Sequence, residues 1–275
     1  MSAVDQLFLE LRRQGRKALM PFVTAGDPDL DFTVALIQEL ARRGCHLCEV
    51  GFPYSDPIAD GPVIQASYAR ALGRGIKASA IFERLGRVHS TISMPLLAMA
   101  SFAIVYRHGL QRFVEEATSA GMAGVIVPDL PVEESGALSD LCRRADFSLI
   151  QLITPTTPRE RAIRIANATT GFIYYVSVTG ITGERTELPA DLVENVAWLR
   201  GQTELPICVG FGVSSPAQAR LLSEVADGII VGSAIVRRIA EASTSPREKA
   251  VHEIGNYAAS LLDALEGATR STTKS

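Results

Sequence analysis

Eight short apolar runs, each followed by a stretch of helical spacing and none joined to the next by a hairpin signal, constrain this chain more than any other feature. They are Ala18–Val23, Cys45–Val50, Leu96–Ala100, Gly124–Val127, Ser148–Ile153, Phe172–Val176, Pro206–Val209 and Gly228–Val231. Strands that never return by a tight turn must pair in parallel through crossover helices. A doubly wound sheet more often has about five to seven strands, so eight predict a (β/α)8 TIM barrel. Residues 3–14 add an extra N-terminal helix, with Val4, Leu7, Phe8 and Leu11 on one side and Gly15 as its stop.

Between the strands, Asp29 is placed to cap a helix ending near Arg43, and further helices are read over 62–72, 77–88, 109–120 and 190–200. Glu133-Glu134 reads as the acidic first turn of another, and Thr157-Pro158 as the cap and start of the next. A final helical region is broken at Ser-Thr-Ser-Pro246, and a polar tail expected to fray begins at about Gly267. The chain has 275 residues, 47% of them hydrophobic, and no internal stretch reads as a linker. We therefore expect one domain spanning residues 1–275.

Composition excludes several function classes. The net charge of -3 comes from scattered residues of both signs, with no basic block for nucleic acid or a membrane surface. The opening MSAVDQLFLELRRQG lacks a signal-peptide pattern, and no apolar run approaches about 18 residues. A soluble, cytoplasmic protein is expected. Cys45, Cys48, Cys142 and Cys208 are too few for a disulfide scaffold. The C-x-x-C pair Cys45/Cys48 would point to opposite faces of a strand, as core cysteines rather than metal ligands. The four histidines are isolated, and no lysine falls at the C-terminal end of a strand. Histidine-metal and Schiff-base chemistry are thereby disfavoured, leaving acid-base work by carboxylates with a tyrosine possible.

The segment Glu49 to Gln65 holds the best candidates. Its Pro, Gly and Asp content marks a loop at a strand end, where barrels keep their chemistry. On a strand of period two, Cys45, Leu47 and Glu49 share a face; Leu47 inward carries Glu49 inward, into a dry place that raises a carboxyl pKa. Asp56 and Asp60 follow in the loop, where each also reads as a turn residue. Asp129 reads more readily as a helix cap, and Tyr174 as either a site residue or a core aromatic. Gly210-Phe-Gly212 after the seventh strand and Gly232-Ser233 after the eighth form the pattern with which barrels bind phosphate through backbone N–H groups. The Thr- and Gly-rich segment 177–189 reads as a lid.

These residues resemble one family. Pro21-Phe-Val-Thr-Ala-Gly-Asp-Pro28, Glu49 through Gln65 with its Ser-Asp-Pro-x-x-Asp-Gly-Pro, Val127-Pro-Asp-Leu-Pro131, Pro155-Thr-Thr-Pro158, Tyr174 with Thr179-Gly-Ile-Thr-Gly183, Gly210-Phe-Gly-Val-Ser214 and Gly232-Ser-Ala-Ile-Val236 occur in the order of the tryptophan synthase alpha subunits. The resemblance implies a lyase that splits indole-3-glycerol phosphate into indole and glyceraldehyde 3-phosphate in tryptophan biosynthesis. It implies Glu49 as acid-base, Asp60 at the indole N–H, Tyr174 beside the substrate, and Phe22 and Phe211 against the ring. It places Thr182, Gly183, Gly212, Gly232 and Ser233 at the substrate, the glycines and Ser233 around its phosphate. No cofactor is expected in this chain; pyridoxal phosphate is expected in a beta-subunit partner within an alpha2-beta2 complex.

One run departs from the family. After the third strand its members generally carry a tyrosine and then an asparagine, helping to shape the beta-subunit contact; here Ser101 and Ala103 stand instead, and Val178 stands where many members have arginine. These changes bear on partner contact more than on cleavage. A lyase working alone therefore stays open as an alternative, as does a non-catalytic phosphate-binding regulator. A phosphosugar isomerase is less well served, because Phe22 and Phe211 suit a flat apolar ring.

Overall fold

The computed structural model describes the chain except residues 58–59, 178–187, 211, 243–244 and 273–275, with side chains through residue 267. Helix α1 (Ala3–Arg13) precedes β1 (Ala18–Thr24), α2 (Leu30–Arg42), β2 (Cys48–Gly51), α3 (Pro62–Gly73), α4 (Ala78–Gly86) and β3 (Leu96–Met99). Next come α5 (Phe102–His108), α6 (Leu110–Ser119), β4 (Met122–Ile126), α7 (Gly136–Arg144), β5 (Ser148–Ile150), β6 (Leu152–Ile153) and α8 (Arg159–Ala168). The chain ends with β7 (Ile173–Val176), α9 (Ala190–Arg200), β8 (Ile207–Gly210), α10 (Pro216–Ser223), β9 (Gly228–Val231), α11 (Ser233–Glu241) and α12 (Arg247–Thr272).

All the strand pairings are parallel, in the order β5-β4-β3-β2-β1-β9-β8-β7-β6. β5 and β6 are two halves of one barrel strand, broken at Gln151. The lower half pairs with β4 (Gly124↔Ser148) and the upper half with β7 (Leu152↔Tyr174). The ring closes through that strand, with Thr170 N–H donating to the Leu149 carbonyl and Tyr174 N–H to that of Gln151. The nine segments are thus the eight strands of the (β/α)8 barrel.

Period-two alternation sorts the side chains into two cores. Ala18, Met20, Leu47, Leu97, Ile126, Ile150, Cys208 and Ile230 fill the barrel, while Leu19, Val23, Cys48, Val50, Ala98, Val125 and Val209 face the helices. The bottom of the barrel is plugged by α1, whose Val4, Phe8 and Leu11 join the inner cluster, with the Phe8 and Phe172 ring centroids 5.6 Å apart. A capping box starts this helix: Ser2 Oγ accepts from Asp5 N–H, and the Asp5 carboxylate accepts from Ser2 N–H. With its lower end closed by hydrocarbon, the barrel has one open mouth, at the C-terminal strand ends.

Local features differ from the sequence reading in ways packing explains. The second strand begins at Cys48 rather than Cys45, so Cys45 does not share a face with Leu47. Both cysteines of the pair pack toward the helix layer as free thiols. Glu133 and Glu134 precede α7, and Glu133 instead bridges Arg161 and Arg164 of α8. Thr157 does not cap α8; its hydroxyl accepts from Thr154 N–H within the preceding turn. Helix α5 was not foreseen. Helix α12 runs to Thr272, past the Gly267 at which the sequence reading places a polar tail.

Candidate active site

The inward positions at the upper ends of the strands are no longer filled by interdigitating hydrocarbon. Phe22 on β1, Glu49 on β2, Met99 on β3, Leu152 on β6, Tyr174 and Val176 on β7, and Ile230 on β9 line a cavity of about 900 Å³. Asp60, Ile64, Val127 and Asp129 contribute from the loops and α3, and Gly212, Gly232 and Ser233 from the opposite side. The strand register makes this meeting unavoidable: Phe22 pairs with Glu49, Glu49 with Leu97, and Tyr174 with both Leu152 and Cys208.

Glu49 is 0% exposed, and neither carboxyl oxygen has a hydrogen-bond partner among the described residues. Burial pushes its pKa well above the ordinary carboxyl value, so the protonated acid is favoured. Asp60 is half-buried at the rim. Its backbone N–H donates to the Pro57 carbonyl, and Gln65 Nε2 on α3 donates to the Asp60 carbonyl at 2.8 Å. Burial, then the charge of Asp129, raises the Asp60 pKa to about 6. Two carboxyl groups on one cavity therefore differ in environment: one is dry and holds its proton, whereas the other remains mostly ionised at neutral pH.

Tyr174 fits because β8 ends in glycine. A Cβ added to Gly210 would lie 2.6 Å from the Tyr174 hydroxyl. Burial raises the phenol pKa well above its usual value, and the neighbouring Glu49 and Asp60 add to the effect, so the hydroxyl stays protonated. Gly51 does the same for Phe22, whose ring would be 2.4 Å from an added Cβ. Neither spacing role is legible in the sequence, where Gly51 falls inside the Glu49 to Gln65 segment and Gly210 reads as part of the phosphate-binding pattern.

Gly212 has φ +76°, a conformation that favours glycine, and Gly232 precedes α11, which has no side-chain cap hydrogen bond at its N-terminus. Ser233 is the first residue of that helix, so backbone N–H groups and a hydroxyl converge on one end of the cavity. Thr182, Gly183 and Phe211, together with most of the 177–189 segment, lie outside the described residues. Asp56 is exposed, accepts from Ser55 Oγ at 2.7 Å, and faces a smaller neighbouring hollow. Asp129 caps a helix, as read, but not its own. It accepts from Phe102 N–H and Ser101 Oγ, both at 2.7 Å, at the start of α5. Ser101 in turn accepts from Ala103 N–H, so the departure from the family pattern is a working N-cap here.

Sequence reading also missed Arg161 and Arg237, which line the cavity from α8 and α11. For Arg237 the available signal is its place four residues after Ser233 in one helix; nothing local marks Arg161. Among the described residues no cluster of three or more His, Cys, Asp or Glu side chains is arranged to hold a metal, and no helix is long and apolar enough to cross a membrane.

Comparison with known proteins places this geometry. The profile of the tryptophan synthase alpha chain matches residues 8–265. The tryptophan synthase alpha chain of Rhodopirellula baltica is 54% identical over 278 residues, covering 98% of this chain and 100% of that one. Among solved structures, the alpha subunit from Legionella pneumophila superposes with a TM-score of 0.88 at 32% identity, over 97% of this chain and 99% of its own. A chain of tryptophan synthase from M. tuberculosis does so at 0.85 and 28% identity, over 96% and 98%. A barrel with an acidic, phosphate-ready mouth and near full-length similarity of this degree lead to one conclusion: the chain belongs to the tryptophan synthase alpha chain family.

Proposed function

We propose that the protein is a carbon-carbon lyase that cleaves indole-3-glycerol phosphate to indole and glyceraldehyde 3-phosphate. The observation that carries this reading is the pair Glu49 and Asp60 on one apolar-walled cavity, the first buried without a hydrogen-bond partner among the described residues and the second half-buried and ionisable. Cleavage requires a proton at indole C3 and loss of a proton from the hydroxyl on the adjacent glycerol carbon. Glu49, held as the neutral acid, delivers the first. Protonated C3 leaves positive charge spread to the ring nitrogen, which the Asp60 carboxylate stabilises through the N–H. The carbon-carbon bond then breaks with its electron pair returning to the ring, and the Glu49 carboxylate accepts the hydroxyl proton as the aldehyde forms. Phe22 packs on the ring with Phe211, Tyr174 flanks the substrate, and Gly183, Gly212, Gly232 and Ser233, with Thr182 nearby, receive the phosphate end.

In this reading the barrel is a single cytoplasmic domain that needs no cofactor of its own. It delivers indole to a pyridoxal phosphate-dependent beta subunit in an alpha2-beta2 complex. The Ser101 cap at the start of α5 supports the second reading, a lyase that works alone, because the family's contact tyrosine is replaced by a residue with an internal task. Indole release from indole-3-glycerol phosphate, measured with and without added beta subunit, separates the two. A slow solo rate that climbs with partner supports the complex; a fast rate indifferent to partner supports the free-standing enzyme. In either case Glu49→Gln and Asp60→Asn abolish turnover, and an absence of indole under both conditions overturns the lyase reading.

A further inference from the structure

We propose that Arg237 is a further substrate-binding residue, which supplies the positive charge that balances the phosphate group; the inference rests on the phosphate-bearing substrate proposed above. Among the described residues lining the cavity, the carboxyl groups are Glu49, Asp60 and Asp129 and the cations are Arg161 and Arg237. A phosphate ester entering that space meets repulsion unless one cation is uncommitted. Arg161 is committed, since its guanidinium donates to Glu133 Oε2 at 3.0 Å. Arg237 forms no ion pair or hydrogen bond with another described residue.

Helix geometry directs Arg237 to the phosphate end. It lies four residues after Ser233 on α11, hence about 6 Å farther along the axis and on nearly the same face. Helical side chains lean toward the N-terminus, which puts the exposed Arg237 side chain within reach of Ser233 and Gly232, the residues with which it lines the cavity. Its neighbour serves as the internal contrast. Arg238 points away, stacks 3.5 Å from the centroid of the Tyr257 ring and donates to the Ala234 carbonyl at 3.0 Å. Two adjacent arginines on one helix thus divide the work, one fastening α11 to α12 and one facing the site. Backbone N–H groups and the Ser233 hydroxyl orient the phosphate, but carry no net charge; Arg237 adds it.

The test compares the parent chain with Arg237→Gln, Arg237→Lys and Arg238→Gln. Calorimetric binding of glycerol 3-phosphate is read beside steady-state cleavage of indole-3-glycerol phosphate and of its dephosphorylated form, indole-3-glycerol. Arg237→Gln is expected to weaken glycerol 3-phosphate binding and raise KM for the phosphorylated substrate by about tenfold, with kcat within about threefold and a flatter salt dependence of binding. Arg237→Lys recovers most of the loss, and Arg238→Gln lowers the melting temperature without changing phosphate affinity. Unaltered glycerol 3-phosphate affinity in Arg237→Gln overturns the inference, as does an equal loss on indole-3-glycerol. If the parent binds glycerol 3-phosphate through Arg237 yet releases no indole, the lyase reading falls and this inference stands.

Discussion

Replacing Glu49 by glutamine is expected to stabilise the fold while destroying its chemistry, and the stabilisation has a defined pH signature. In the unfolded chain this carboxyl titrates near its ordinary value of 4.5; in the folded chain burial raises the pKa well above that. Between the two values the unfolded chain has released a proton that the folded chain retains. Stability therefore falls as pH rises, by about 1.4 kcal/mol per pH unit for one group. The contribution is fully present below pH 4.5 and is lost upward through the window that ends at the folded pKa. Glutamine has nearly the same shape and no charge to desolvate, so it removes this slope. At pH 4.5 the parent and Glu49→Gln should agree within about 1 kcal/mol, since each buries an unpartnered polar group. Above it, the variant gains about 1.4 kcal/mol for each pH unit until the parent's folded carboxyl ionises. Urea unfolding of both proteins at half-unit steps from pH 4.5 to 8 measures the difference directly, and other titrating groups, Asp60 included, largely cancel in it. A stability difference that stays flat across this range would refute the reasoning, because it would mean that Glu49 is as ionised in the barrel as in water.

Three other outcomes are expected. Because Asp60 must be ionised and its pKa lies at about 6, kcat/KM should fall tenfold per pH unit below that value; Asp129→Asn should move this limb to lower pH by removing the second cause of the shift. Gly210→Ala places a methyl group 2.6 Å from the Tyr174 hydroxyl, so the ring must move. We expect a loss of about 1–3 kcal/mol in stability and reduced turnover, checked by denaturation and by indole release. Ser101→Ala removes the N-cap of α5 and one of the two partners of Asp129, which should cost about 1 kcal/mol in unfolding free energy.

Much of this molecule is legible along the chain because barrel topology is written as a repeat. Each parallel strand must be followed by a helix, and each strand must alternate inward and outward, so Leu47 and Glu49 report the same face to any reader of the sequence. The phosphate-ready glycines were equally visible, since a backbone that approaches a ligand closely leaves little choice of residue. Other features depend on which elements end up side by side. Asp129 looks like a cap for the helix that follows it, yet it caps α5, from a different strand's loop, because β3 and β4 are neighbours in the ring. Nothing local says that Gly51 and Gly210 exist to admit Phe22 and Tyr174, since each clash is across the sheet. The split of Arg237 from Arg238 is likewise invisible in a run of two arginines. By itself, the sequence determined strand number, parallel direction, the inward face of Glu49 and the residue types at the barrel's mouth, all set by local periodicity and backbone sterics. Only the tertiary structure decided which of those residues share one cavity, how dry each carboxyl is and which cation is left for the substrate, because solvation and charge pairing belong to groups distant along the chain.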